Sequence, residues 1–206
     1  MKFTSESKFF LGIIVGTILI VVIAVILLSR PQKPIEKDRL ITPATYTSGN
    51  KNANVWLVEF SDFECPACKL FAKTIETLIN DNKDALLFAH RHYPLPQHLF
   101  SVKAAVSAEA AGKQGKFWEM WKELYAAQTL SESSVSAIVK TLGLDEKKFA
   151  SDSADPSLQA LVEQDKQFGV SLGINATPTF FLNGVKLDIG KPDDLKRKVE
   201  EALHKN

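Results

Sequence analysis

Two cysteines occur in this chain of 206 residues, and they stand three positions apart as Cys65-Pro66-Ala67-Cys68, between a strand-like run and a helix-like one. No other feature constrains the fold as strongly. A bridge between these thiols would close so short a loop that it removes little chain entropy, so the pair is no staple and the domain must be held by its own core. Upstream, Val55-Trp56-Leu57-Val58-Glu59-Phe60 is short, β-branched and aromatic-rich, the pattern of a buried strand. Ser61-Asp62-Phe63-Glu64 reads as a turn, with Asp62 and Glu64 as solvated turn residues. From Cys65 onward Leu70, Ile75, Leu78 and Ile79 recur at helical spacing, and Pro66 falls in the first turn, where its missing N–H is not needed. The local prediction is strand, turn, helix, with the first sulfur at the helix start.

That position carries chemistry. The first turn of a helix presents unpaired N–H groups and the positive end of the dipole, and both favour thiolate over thiol. Cys65 is therefore the candidate nucleophile, and Cys68, one turn on, is placed to resolve a mixed disulfide. The rival for a C-x-x-C pair is half of a zinc site. Such a site wants two more ligands, and His90, His92, His98 and His204 offer no second clustered pair at a suitable spacing, although His90 and His92 share one strand face. No metal ligand set is predicted.

Residues 9–28 (FFLGIIVGTILIVVIAVILL) carry no charge and match the length of a helical bilayer span. A cleaved secretory signal would have a shorter apolar region and a small-residue cleavage site, so a retained single-pass anchor is expected. Lys2 and Lys8 precede the run while Arg30, Lys33, Lys37 and Arg39 follow it, so charge does not select an orientation. An extracytoplasmic domain is chosen because disulfide exchange belongs in an oxidising compartment. The expected organisation is a short tail (1–8), the anchor (9–28), an extended linker (29–52) containing Pro31, Pro34 and Pro43, and one folded domain (53–206). A net charge of +1 gives no sign of a nucleic-acid partner.

Within the domain a second strand is read over 85–93, at a βαβ distance from the first. Ala-rich amphipathic segments follow at about 100–112, 116–127, 131–141, 145–151 and 156–168. Residues 178–187 read as two short strands around Asn183-Gly184, and 193–204 as a last helix. The order β, α, β, helical block, ββ, α describes an α/β sheet with a helical domain inserted at about 100–169.

Three segments in register, FSDFECPAC (60–68), RHYPLP (91–96) and ATPTFF (176–181), resemble the DsbA-like thiol-disulfide oxidoreductases over roughly residues 40–206. The resemblance implies a thioredoxin-like fold with an inserted α-helical domain, here preceded by one N-terminal transmembrane helix. It implies Cys65 as attacking and Cys68 as resolving cysteine, and Pro178 as a cis-proline facing them. Thr177 would offer backbone hydrogen bonds to an extended substrate, beside Pro66 and Ala67. Sequence alone shows only that Thr177-Pro178 precedes a strand. Glu59 sits where related proteins carry a buried acid that shuttles a proton to or from Cys68; the alternative is a carboxylate paired with His90 or Arg91.

The resemblance further implies no cofactor beyond a Cys65–Cys68 redox disulfide, unfolded thiol-bearing chains as substrates, and a membrane redox partner, a quinone-linked oxidase, to remove the electrons. Ala67 stands where some members carry a histidine able to stabilise the thiolate, which weakens the prediction of electron flow toward substrate oxidation. A reductase or isomerase kept reduced by a membrane electron donor, or a non-catalytic binding or chaperone module, are the alternatives.

Overall fold

The computed structural model describes residues 5–28 and 33–205. The chain divides into two units, residues 1–33 and 34–206. The first contains one α-helix, α1 (Ser5–Leu28), whose side chains are described at Phe10 and over 12–24. Among the described residues no helix is long and apolar enough to cross a membrane. The first four residues of the expected tail, and Arg30 and Pro31 of the expected linker, lie outside the described residues.

The second unit is built on one five-stranded sheet among the described residues, in which β1 (Thr47–Gly49), β2 (Val55–Ser61), β3 (Leu86–His92), β4 (Thr179–Leu182) and β5 (Val185–Lys186) lie in the order β1-β3-β2-β4-β5. Its centre is β2 (Val55–Ser61), paired in parallel with β3 (Leu86–His92) and antiparallel with β4 (Thr179–Leu182). The parallel pair requires a crossover, supplied by α3 (Pro66–Asp81). Every residue of β2 and of β3 is buried, as expected of strands covered on both faces. Between β3 and β4 comes the helical insertion: α4 (Ser101–Gly112), α5 (Phe117–Ala126), α6 (Glu132–Thr141), α7 (Glu146–Ser153) and α8 (Pro156–Ser171). Ser131, Asp145 and Asp155 cap the last three by accepting from Ser134, Lys148 and Ser157 backbone N–H groups. At its hub, α4 buries Ala104, Ala105, Ala108, Ala110 and Ala111, which lets neighbouring helices approach closely. β4 turns into β5 (Val185–Lys186) through Asn183 and Gly184, whose φ values of 47° and 81° suit the tight hairpin predicted there. Helix α9 (Pro192–His204) closes the chain with Leu195 and Val199 inward.

Strand alternation sorts the sheet into two faces. Val55, Leu57, Leu86 and Phe88 join one core with α3, α9 and most of the insertion, while Trp56, Val58, Phe60, Leu87 and Ala89 join a second. Glu59 and Ser61 share the first face, as do His90 and His92. Arg91 points to the other, where it pairs with Asp165 at 2.7 Å and donates to Leu40 O.

The expected linker is instead part of the fold from Pro34 on. A helical turn, α2 (Lys37–Leu40), buries Leu40 completely in the second core. Ile35 N–H donates to Gly184 O at 2.9 Å, an approach so close that a Cβ on Gly184 would lie 2.1 Å from Ile35 O. β1 (Thr47–Gly49) pairs antiparallel with β3. Prolines and polar residues hid this segment, because a three-residue edge strand and a single helical turn have no periodicity to detect. Leu40→Ala should destabilise the domain by about 2–5 kcal/mol, read as a lower urea midpoint at unchanged slope. A true tether would show no change.

Candidate active site

Cys65 is the N-cap of α3, with Pro66 in the first helical turn, as the turn-then-helix pattern predicts. Its N–H donates to Asp62 O at 3.1 Å, and its C=O accepts from Lys69 N at 3.1 Å. Both cysteines are free thiols; Cys65 is 6% exposed and Cys68 is fully buried. The Thr177–Pro178 peptide is cis, the state the resemblance implies, and Cys65 Sγ donates to Thr177 O at 3.4 Å. Residues 65 and 177, far apart in the chain, thus meet where the start of α3 faces the entry to β4. Pro66 is exposed and Ala67 and Pro178 half-buried beside them.

The two sulfurs are held in opposite states. The neighbouring Cys68 thiol and the backbone N–H groups of Ala67 and Cys68 pull the Cys65 pKa down to about 5, against the desolvation that would raise it. Burial, the bond to Cys65 and the nearby Glu59 charge push Cys68 up. The dipeptide holds no histidine, and the neighbouring thiol and the N–H groups at the helix N-terminus are what favour the Cys65 thiolate.

Glu59 is fully buried on β2, and desolvation raises its pKa to about 8 despite the bond it accepts from Ser61. It does not form the cross-strand ion pair weighed above. Arg91 lies on the other face of the sheet. His90 comes within 3.6 Å, but its Nδ1 accepts Trp121 Nε1–H at 3.2 Å, and burial holds its pKa well below the usual value, so it is neutral. His92 bonds Glu109 at 2.9 Å. Among the described residues no cluster of three or more His, Cys, Asp or Glu side chains is arranged to hold a metal ion.

Asp62 and Glu64 are not solvated turn residues. Asp62, 2% exposed, accepts Glu64 N–H at 2.8 Å and Leu95 N–H at 2.7 Å and bonds His98 at 2.8 Å; Glu64 accepts Phe100 N–H at 2.6 Å. The two carboxylates clamp the cysteine turn to the segment that enters the insertion. Two further polar residues escaped the sequence reading. Ser61 Oγ donates to Glu59 Oε1 at 3.0 Å and lies 2.7 Å from Tyr125 OH. The i, i+2 spacing of Glu59 and Ser61 on an otherwise apolar strand face was the available signal for Ser61. Tyr125 lies 64 positions away in α5 and had none.

A parallel β2–β3 pair, an antiparallel β4 entered through a cis-proline and a dithiol capping the intervening helix define a thioredoxin-fold dithiol protein. Residues 42–201 match the thioredoxin family, and the chain belongs to it. A thioredoxin-like oxidoreductase from Silicibacter pomeroyi superposes with a TM-score of 0.74 at 25% identity, over 84% of this chain and 99% of that one. The thiol-disulfide exchange protein alpha-DsbA2 from Wolbachia pipientis gives 0.72 at 27%, over 81% and 91%. The Na(+)/H(+) antiporter NhaA 1 of Mycolicibacterium vanbaalenii is 36% identical over 158 residues, which is 75% of this chain and 25% of the antiporter. The chain thus spans about a quarter of the length of the curated relatives it matches.

The opposed pKa shifts make a test. Cys65 is held at about 5 against a usual 9.0, so its contribution to stability is present above 9 and lost as pH falls through 5. Glu59 is held at about 8 against a usual 4.5, so its contribution is present below 4.5 and lost as pH rises through 8. Between about pH 5 and 8 the two offset each other in the reduced protein. Urea unfolding should find Cys65→Ser losing stability as pH rises through that window and Glu59→Gln gaining it. Parallel slopes in the two variants would contradict the assignment.

Proposed function

We propose that this chain is a membrane-anchored thiol-disulfide oxidoreductase that introduces disulfides into exported proteins, with Cys65 as nucleophile and Cys68 as resolving cysteine. The observation that carries the direction is the placement of Cys65 as N-cap of α3 beside the Cys68 thiol, an arrangement that holds its pKa below the usual thiol range. Stabilising the reduced form in this way makes the disulfide a better oxidant. Thiol-disulfide exchange itself is supported by the named activity of the Wolbachia neighbour at 27% identity.

A substrate thiolate attacks Cys65 Sγ of the oxidised protein, and a second substrate thiol displaces Cys65 from the mixed disulfide. Pro178, Thr177, Pro66 and Ala67 border the path by which an extended substrate reaches the sulfur. Glu59 acts as the proton store for Cys68. No further cysteine is available to reoxidise the pair, so a separate electron acceptor, a quinone-linked membrane oxidase, completes the cycle. The uncharged run 9–28, helical in α1 with Ile13, Ile18 and Ile20 exposed, supports the anchor and an extracytoplasmic domain.

The couple should equilibrate with glutathione at a potential well above thioredoxin's, which is about −270 mV. A value at or below that would reverse the direction and favour a reductase. Cys65→Ser should abolish oxidation of a reduced, unfolded test protein. If the variant retained the cellular activity of the parent, the function would be binding instead. Alkaline carbonate extraction should leave the full chain in the membrane pellet; release into the supernatant would remove the anchor.

A further inference from the structure

Three loops meet at one end of the sheet. β2 and β3 run parallel, so the Cys65 turn after β2 and the segment after β3 leave the sheet at the same end, and β4, antiparallel to β2, starts there behind Thr177–Pro178. Two carboxylates tie the first two loops together. Asp62, whose side chain is fully buried, accepts Leu95 N–H at 2.7 Å on Oδ2 and bonds His98 Nδ1 at 2.8 Å through the same atom. Its backbone C=O holds Cys65 N–H at 3.1 Å. Glu64 accepts Phe100 N–H at 2.6 Å. Leu99 stands between the two tied residues and belongs to neither core. At 95% it is the most exposed large apolar side chain among the described residues. A lone exposed leucine is ordinary on a protein surface. Here the residues on both sides of it are fastened to the nucleophile's own turn, so the side chain is held out beside the dithiol rather than left loose.

We propose that Leu99 is a specificity-determining residue that selects substrate chains with a large apolar side chain about three or four residues from the reacting cysteine, and that Asp62 positions it. The inference rests on the disulfide exchange proposed above and names its substrate class. The occupant follows from the chemistry, because a chain joined to Cys65 Sγ in the mixed disulfide cannot leave the neighbourhood of that turn. One peptide unit, one hydrogen bond and the Glu64 side chain separate Leu99 from the backbone beside Cys65. Three or four residues of extended chain, about 10–14 Å, cover such a distance. An apolar side chain arriving there meets Leu99, and Val102, 38% exposed in the first turn of α4, continues the surface. A polar side chain would gain nothing by leaving water.

Asp62 does not touch a reacting atom and is a positioning residue. Its Oδ1 accepts Glu64 N–H while Oδ2 serves Leu95 and His98, so one carboxylate braces both loops. An asparagine amide has one accepting oxygen where the carboxylate has two, and one side of the brace must lose its acceptor.

The test is the rate at which the oxidised full-length protein reacts with two reduced dicysteine peptides, followed by stopped flow. The peptides differ only in leucine or serine at the selected position. Half the contribution of burying one leucine side chain corresponds to a preference of about three- to tenfold for the leucine peptide. Leu99→Ser should bring the two rates within twofold of each other, and Leu99→Met should keep the preference. Asp62→Asn should also erode it, although Leu99 is still present. Moving the peptide leucine about ten residues away, beyond this reach, should abolish the preference. Equal rates for the two peptides with the parent, a preference that survives Leu99→Ser, or one indifferent to the leucine's distance would overturn the role of Leu99 alone. A preference undiminished in Asp62→Asn would overturn the role of Asp62. A parent protein as inert toward both peptides as Cys65→Ser would overturn the function and this selectivity together.

Discussion

The chemistry of this domain depends on one pairing, the seven-residue parallel register of β2 with β3. It sets Glu59 opposite His90 and Ser61 opposite His92, and it gathers these polar residues on one sheet face directly behind the cysteine helix. A one-residue slip of β3 would turn its side chains over, bringing Arg91 to the dithiol face beside Glu59 and sending His90 to the second core. The slip is opposed from both sides. Leu57 and Phe88 belong to one core, and Val58, Phe60 and Leu87 to the other, so register is fixed by apolar burial and the ionisable groups are carried with it.

Much of the frame was legible in the chain. β2, β3, the insertion helices and the Asn183-Gly184 hairpin announce themselves by period, capping residues and turn chemistry, and each is a local signal. The Cys65 helix start was legible for the same reason. What failed were features whose cause lies elsewhere in the sequence. Residues 34–52 look like a linker because their order comes from Gly184, Arg91 and β3, none of which is near in sequence. Asp62 and Glu64 look solvated because the N–H groups they bind arrive some thirty residues later.

The site divides along the same line. Residue identity at 65–68 was enough to assign nucleophile and resolving thiol, but not to judge how firmly the thiolate is held. The dipeptide lacks a histidine, whereas the pull on Cys65 comes from Cys68 and backbone N–H groups. Composition between the cysteines is thus one lever among several. Glu59 was the converse case. Its position in an apolar strand suggested two roles, and only the facing of Arg91 and the neutrality of His90 separated them.

The alanines of α4 carry a consequence of a different kind. A helix lined with methyl groups sets the spacing of its neighbours by van der Waals contact alone, and α5, which packs on α4, brings Tyr125 to Ser61. Any larger side chain at Ala104, Ala105 or Ala108 must displace something, because these positions are filled. The place of the Tyr125 hydroxyl beside Ser61 is therefore set by volume in a helical layer and not by any charge.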